Sequence, residues 1–324
     1  MERKKTFDLK QSNFTYLFLI GSFLAISLGS WVLIGLGPDV LTNYVVEISM
    51  FVQLVAYIPL VIYAFKSNTD IKSVLRIKSL SFKKVALTAL LVVLGYIIAT
   101  MLSAIWNIIL QLMGVSLQEP ESTRLIFEKP AWLAILILCV YAPAFEEFIF
   151  RGMILSGYSA YTSPVKAALV TGVFFGMTHG SLMSVVPTAV IGVLIGLIVI
   201  YTGSIFAGVI YHALNNLIAY TMVMDNYFFD LPWKLNLMPS AETETGAALK
   251  LLWIICWAIA AVILAAFVLR ALKKDYVPII EKRLVPQDNR HRMLLWLSLA
   301  AAFLYIALTS VLMNVQIPEP GMYS

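Results

Sequence analysis

The amino-acid sequence predicts an all-α fold, a polytopic bundle of about nine transmembrane helices with a cytoplasmic N-terminus. Three observations predict it. The 324 residues are 60% hydrophobic and only 13% charged, about half the charge of a soluble domain. Several uninterrupted apolar runs exceed the ~18 residues that mark a spanning helix, and backbone hydrogen bonding in lipid turns such runs into helices. The basic residues also alternate along the chain, as a multi-pass topology demands.

The apolar segments fall at 14–36, 45–65, 84–113, 131–156, 165–179, 182–201, 204–223, 248–270 and 293–313. The first follows a basic start (Arg3, Lys4, Lys5, Lys10) and lacks a small-residue cleavage site, so it reads as a signal anchor. The loop 66–84 carries six Lys/Arg and one acid, and the loop 270–292 carries seven Lys/Arg. Segment 36–47 has Asp39 and Glu47 with no base, and loop 223–247 has four acids against Lys234 alone. This bias puts the basic loops at the cytoplasmic face against anionic lipid. The net charge of +5 is therefore a membrane signature, not a nucleic-acid one. Cys139 and Cys256 lie in apolar runs and read as small core residues, neither a disulfide nor a metal pair. The compact loops suit a bacterial plasma membrane.

The chain divides by function. Residues 1–129 read as an N-terminal scaffold of about three spans, and 130–222 as a core of about four spans that holds the informative polar residues. Residues 223–324 read as an extension with an extracytoplasmic loop and about two spans. Gly172 with Gly176, and Gly192 with Gly196, recur at the four-residue spacing of close helix packing.

Ionisable groups inside hydrocarbon cost several kcal/mol each, so those that persist carry information. Of 18 acidic residues, only Glu146 and Glu147, in "EEFIFR", fall well inside a span. Glu147 and Arg151 are four apart and share a helix face, which suits an ion pair. Glu146 points roughly 100° away and has no local partner, which suits a general base. His179, in "FFGMTHG", and His212 with Asn216, in "HALNN", are the other polar residues at span depth. His291 sits in "NRHRM" and reads as solvated surface.

Depths counted at ~1.5 Å per residue place Glu146 about 15 Å and His212 about 12 Å from the cytoplasmic ends of their spans. His179 comes out nearer 20 Å, a mismatch that tilt or a fifth span ending inside the bundle would remove. Glu, two His and Asn on three helices at one depth suit activation of water. In one version Glu146 takes the water proton, His179 orients the water, and His212 and Asn216 donate to the oxyanion. In the other, Glu146, His179 and His212 hold a divalent metal such as zinc. The residue types allow either, so the cofactor is none or a metal. No HExxH, GxSG or GxGD motif is present.

The ordered motifs EExxxR (Glu146 to Arg151), FxxxH (Phe175 to His179) and HxxxN (His212 to Asn216) resemble the CPBP family of intramembrane proteases. That family is also called CAAX prenyl protease 2 or Abi. The resemblance covers roughly 130–222 and implies an intramembrane endopeptidase, commonly described as a metalloendopeptidase although a metal-free glutamate mechanism is also proposed. It implies that Glu146 activates water with His179, that His212 and Asn216 line the oxyanion site, and that Glu147 and Arg151 support them. Its expected partners are membrane lipid and a peptide or membrane-protein substrate, prenylated in eukaryotic relatives. The competing reading is a non-proteolytic membrane protein, such as a bacteriocin immunity or partner-regulating factor, with the polar cluster clamping helices. A transporter would need a polar path through both leaflets, which the outer spans do not supply.

Overall fold

The computed structural model describes residues 7–36, 38–67, 69–115, 126, 129–228, 244–277 and 289–314. For residues 30–49, 225–228, 244–248, 250, 251, 254 and 312–314 only the backbone is described. Among the described residues the chain is helical throughout, without strands. The helices are α1 (Leu9–Leu36), α2 (Pro38–Lys66), α3 (Ile71–Val74), α4 (Phe82–Leu112), α5 (Ala131–Tyr161) and α6 (Pro164–Met177). They continue as α7 (Leu182–Thr202), α8 (Ile205–Phe228), α9 (Glu244–Lys273) and α10 (Arg290–Asn314). Each apolar segment read from the sequence lies on one of these helices.

Local chemistry sets the boundaries. Asp8 Oδ1 accepts from the Gln11 backbone N–H at 2.7 Å, while Gln11 Oε1 accepts from the Asp8 N–H at 3.0 Å. This reciprocal cap satisfies two donors at the start of α1. Ser81 and Ser163 cap α4 and α6, each accepting at 3.4 Å from the N–H three residues on. Pro164 at the first turn of α6 loses only an N–H that would have no partner there.

Six helices among the described residues are long and apolar enough to cross a membrane, and the protein is a multi-pass membrane protein. α6 is not among them. Its 14 residues rise about 21 Å, short of the ~30 Å hydrocarbon core. α8 is not among them either, because His212, Asn215 and Asn216 lower its hydropathy. The acid-bearing segment 229–243 and residues 278–288 of the basic loop 270–292 lie outside the described residues, as do the side chains of Asp39 and Glu47.

α6 and α7 form the tightest pair. A Cβ on Gly192 would lie 2.9 Å from the Gly172 α-carbon, so the two backbones touch where both residues lack a side chain. α5 is the most irregular element. Residues Leu136–Tyr141 and Phe148–Ile154 wind as π-helix on either side of Ala142–Glu147. Pro143 explains the first, since it removes an N–H and clashes with the carbonyl of Cys139 one turn back. Carbonyls in both π segments accept from other helices: Asn216 Nδ2 donates to Leu138 O at 2.8 Å, and Ser12 Oγ to Met153 O at 3.1 Å.

Three expectations are corrected here. His291 is buried, not solvated, because its carbonyl accepts from Asn13 Nδ2 at 2.7 Å where α10 packs on α1. Cys139 is half-buried and Cys256 exposed, both as free thiols on apolar outer surface instead of in the core. The first span is no plain apolar scaffold. Its Tyr16 ring stacks on Phe174 at 4.0 Å and donates from its hydroxyl to Phe174 O at 3.2 Å, while Asn13 accepts from the Tyr158 hydroxyl at 2.5 Å.

Candidate active site

The carboxylates of α5 divide as helix geometry requires. Glu147 is fully buried, and its Oε1 lies 3.0 Å from Arg151 Nη1. Arg151 is buried as well, with Nη2 donating to Gly192 O at 3.0 Å, beside the point where α6 and α7 touch. Its guanidinium carbon stands 4.7 Å from the centre of the Phe175 ring. A cation over an aromatic face gains most where water is excluded. Glu146, one residue earlier, is 16% exposed and is the carboxylate of the pair that an incoming molecule can reach.

α8 supplies the second partner. His212 Nδ1 lies 3.0 Å from Glu147 Oε1, and its Nε2 lies 3.9 Å from Glu146 Oε2. The imidazole is thus oriented by the buried carboxylate and presents Nε2 to the accessible one, an arrangement in which an anchored imidazole is fixed in tautomer and angle. Asn216, one turn on, is held to α5 through Leu138 O. Asn215 is buried with its Oδ1 unpaired among the described residues.

The third element is the end of α6. His179 lies two residues past Met177 in the turn before α7. α6 ends at Met177, so His179 stands in a turn beyond the helix and not on a spanning helix. The Nδ1–H of His179 points to the carbonyl of Phe175 at 2.8 Å, which leaves Nε2 free with a lone pair. His179 is the exposed histidine of the three, while His212 and His291 are buried. Its charge environment is shared with Glu146, His212 and Arg151. Phe175 sits between them, with its ring edge-on to His179 at 4.9 Å and to His212 at 5.6 Å.

Glu146, Glu147, Arg151, His179 and His212 therefore gather at one place, while Asn216, one turn beyond His212 on α8, is bonded to Leu138 O. His179 and His212 stand against Phe175 and Glu146 faces His212, and among the described residues no group of three or more His, Cys, Asp or Glu lies close enough together to hold an ion. His212 Nδ1 is held by Glu147, an arrangement that leaves Nε2 as the free donor of the ring, and no step is derived through a metal. Sequence reasoning also missed three contributors. Tyr57 of α2 is buried, stacked on Phe145 at 5.6 Å, and electrostatically coupled to Glu146. The Gly192 and Leu138 carbonyls tie down Arg151 and Asn216. No motif marks a backbone carbonyl, and Tyr57 sits in a run indistinguishable from scaffold.

A membrane-embedded helical bundle with a buried carboxylate–imidazole cluster falls in the class of intramembrane polar-site proteins. Residues 128–218 match the family model described as Rce1-like, type II CAAX prenyl endopeptidase Rce1-like, a similarity consistent with the CPBP/CAAX proteases to which the motifs point. The match spans a little over a quarter of the chain. No curated protein and no solved structure matches this chain.

Proposed function

We propose that this protein is an intramembrane endopeptidase that hydrolyses a peptide bond of a membrane-associated substrate, with residues 130–222 as its catalytic core. The observation that carries the reading is the asymmetry of the two carboxylates. Glu147 is sealed in the interior, whereas Glu146 is partly accessible and faces His212 Nε2 at 3.9 Å. Glu147 then serves the structure and Glu146 is left for chemistry.

Glu146 takes a proton from a water that the free Nε2 of His179 orients. The resulting hydroxide adds to the scissile carbonyl carbon. The oxyanion accepts hydrogen bonds from His212 Nε2–H and from the second N–H of Asn216. His212 donates from Nε2 only when both of its nitrogens carry protons. Collapse of the intermediate breaks the C–N bond, and the proton held by Glu146 passes to the leaving amine. The products are a carboxylate and an amine. The Rce1-like resemblance supports a CaaX-type substrate, and the Lys/Arg distribution supports a cytoplasmic N-terminus.

Purified protein in lipid nanodiscs would be given a farnesylated, internally quenched CaaX peptide. Cleavage by wild type and its loss in Glu146→Gln, with the thermal midpoint retained, is the expected result. Cleavage that survives in Glu146→Gln removes the proposal.

A further inference from the structure

We infer that α10, which lies outside the Rce1-like segment, positions His179 through the turn that follows α6, with Tyr305 and Thr309 as positioning residues. The inference rests on the reading of His179 as the water-orienting group. Among the described residues the His179 ring is anchored by its own helix end, through Phe175 O and the Phe175 ring. Its ring is otherwise exposed. Where the imidazole stands is therefore decided by where the backbone of the turn is held.

That backbone is gripped from outside. Gly180 has φ +65, the left-handed region that glycine enters without a Cβ clash. A Cβ there would also meet Cε1, Cζ and Oη of Tyr305 at 2.7 to 2.8 Å, so the aromatic ring lies flush against the Gly180 α-carbon. The Thr309 hydroxyl donates to the Gly180 carbonyl. Tyr305 and Thr309 are four apart and project from one face of α10. On the far side of the turn, Trp106 Nε1 of α4 donates to Leu182 O at 2.6 Å. The segment 180–182 is thus held between two helices, one of them reaching it from Thr309, 129 positions downstream of Gly180.

α10 is a firm anchor because α1 fixes it. Asn13 Nδ2 donates to His291 O at 2.7 Å, Ser298 Oγ donates to Asn13 O at 3.3 Å, and the Tyr305 ring packs 6.1 Å from Phe23. The C-terminal extension is in this account part of the site. The motif segment supplies the reacting groups, and the last helix sets the position of one of them.

The test uses the full chain in nanodiscs with Thr309→Val and Tyr305→Leu, and with Thr309→Ser and Tyr305→Phe as conservative partners. The first readout is the rate at which diethyl pyrocarbonate modifies each histidine, followed by mass spectrometry. The second is kcat and KM on the farnesylated CaaX peptide. Thr309→Val and Tyr305→Leu are expected to change His179 labelling several-fold and to lower kcat about tenfold, the scale of losses when a group that orients a reacting residue is removed. KM is expected to stay near wild type, and both conservative variants are expected to restore the wild-type values. Unchanged labelling and kcat in Thr309→Val and Tyr305→Leu overturn the proposal. So does labelling of all three histidines in both, which would mean that these residues hold the fold and not the turn. His179→Ala separates the two levels. If it still cleaves, the water-orienting reading fails while the labelling arm continues to report on the clamp.

Discussion

His212 Nδ1 and Arg151 Nη1 converge on the same carboxylate oxygen, Glu147 Oε1, each at 3.0 Å. Glu147 Oε2, by contrast, is buried with no hydrogen-bond partner among the described residues. One oxygen of one buried side chain therefore neutralises a cation and aims an imidazole at Glu146. Glu147 links the structural and chemical halves of the site, which explains why two adjacent carboxylates persist in so apolar a helix.

Glu147→Ala is expected to lower both stability and rate. It orphans a buried guanidinium, a change that costs about 3–5 kcal/mol, and it frees the His212 ring. Thermal unfolding in nanodiscs should show a large fall in midpoint. Arg151→Met with Glu147→Leu should regain the midpoint without regaining cleavage, because the double change removes the buried charge but not the need to orient His212. Cleavage at wild-type rate in the double variant would sink the linking role.

Gly208→Ala should disturb the same carboxylate from the α8 side. A Cβ at 208 would lie 2.8 Å from Glu147 Oε2 and 2.7 Å from Val199 Cγ2. Overpacking of this kind costs about 1–3 kcal/mol. Here it also pushes Glu147 away from His212, so kcat is expected to fall more than a neighbouring surface substitution such as Phe206→Ala would lower it. Equal kcat for the two variants would show that the carboxylate yields without consequence.

Diethyl pyrocarbonate should modify His179 first in wild-type protein. His179 is exposed, while His212 is 4% and His291 7% exposed. Cleavage should be lost in step with the modification of His179, and a saturating CaaX peptide should slow both. Mass spectrometry after partial inactivation reads this directly. Modification of His212 ahead of His179 would contradict the assigned accessibility.

Arg76→Met tests a buried charge outside the site. Arg76 lies in the loop after α3, 5% exposed, with its Nη2 donating to Ser159 Oγ at 3.1 Å and its Nη1 without a partner among the described residues. Burial lowers its pKa to about 10, so it stays charged at neutral pH. Its backbone is also in the left-handed region, at φ 49. A buried cation without a counter-charge is commonly replaced by an apolar side chain of similar size at no loss of stability. The thermal midpoint of Arg76→Met at pH 7.5 is expected to equal or exceed that of wild type. The advantage should shrink as pH rises through about 10. The folded-state pKa lies below the unfolded one, so the native guanidinium gives up its proton first and wild type gains stability there. A lower midpoint for the variant at pH 7.5 would mean that the charge is compensated.

Much of this was legible in the chain. The helical, membrane-embedded character follows from composition and run length, because lipid leaves a backbone no other way to satisfy its hydrogen bonds. Glu146, Glu147, Arg151, His179, His212 and Asn216 were visible because polar groups in hydrocarbon are costly and so stand out against an apolar background. The Glu147–Arg151 pair followed from four-residue spacing alone. Less was visible at His291 and the two cysteines, where sequence shows the character of a segment but not which face it turns inward.

The sequence by itself determined the bundle, the identity of the polar residues and the one ion pair lying within a single helix, since each depends on local periodicity or on burial energy. Only the tertiary structure decided that His212 binds Glu147 and faces Glu146, that His179 and His212 both meet the Phe175 ring, and that α5 widens into π-helix on both sides of the carboxylates. It also decided that α10 closes on the His179 turn. These are contacts between residues tens to hundreds of positions apart. They arise from packing between helices, and no one-dimensional pattern encodes the distance between two side chains that meet only after the chain has folded.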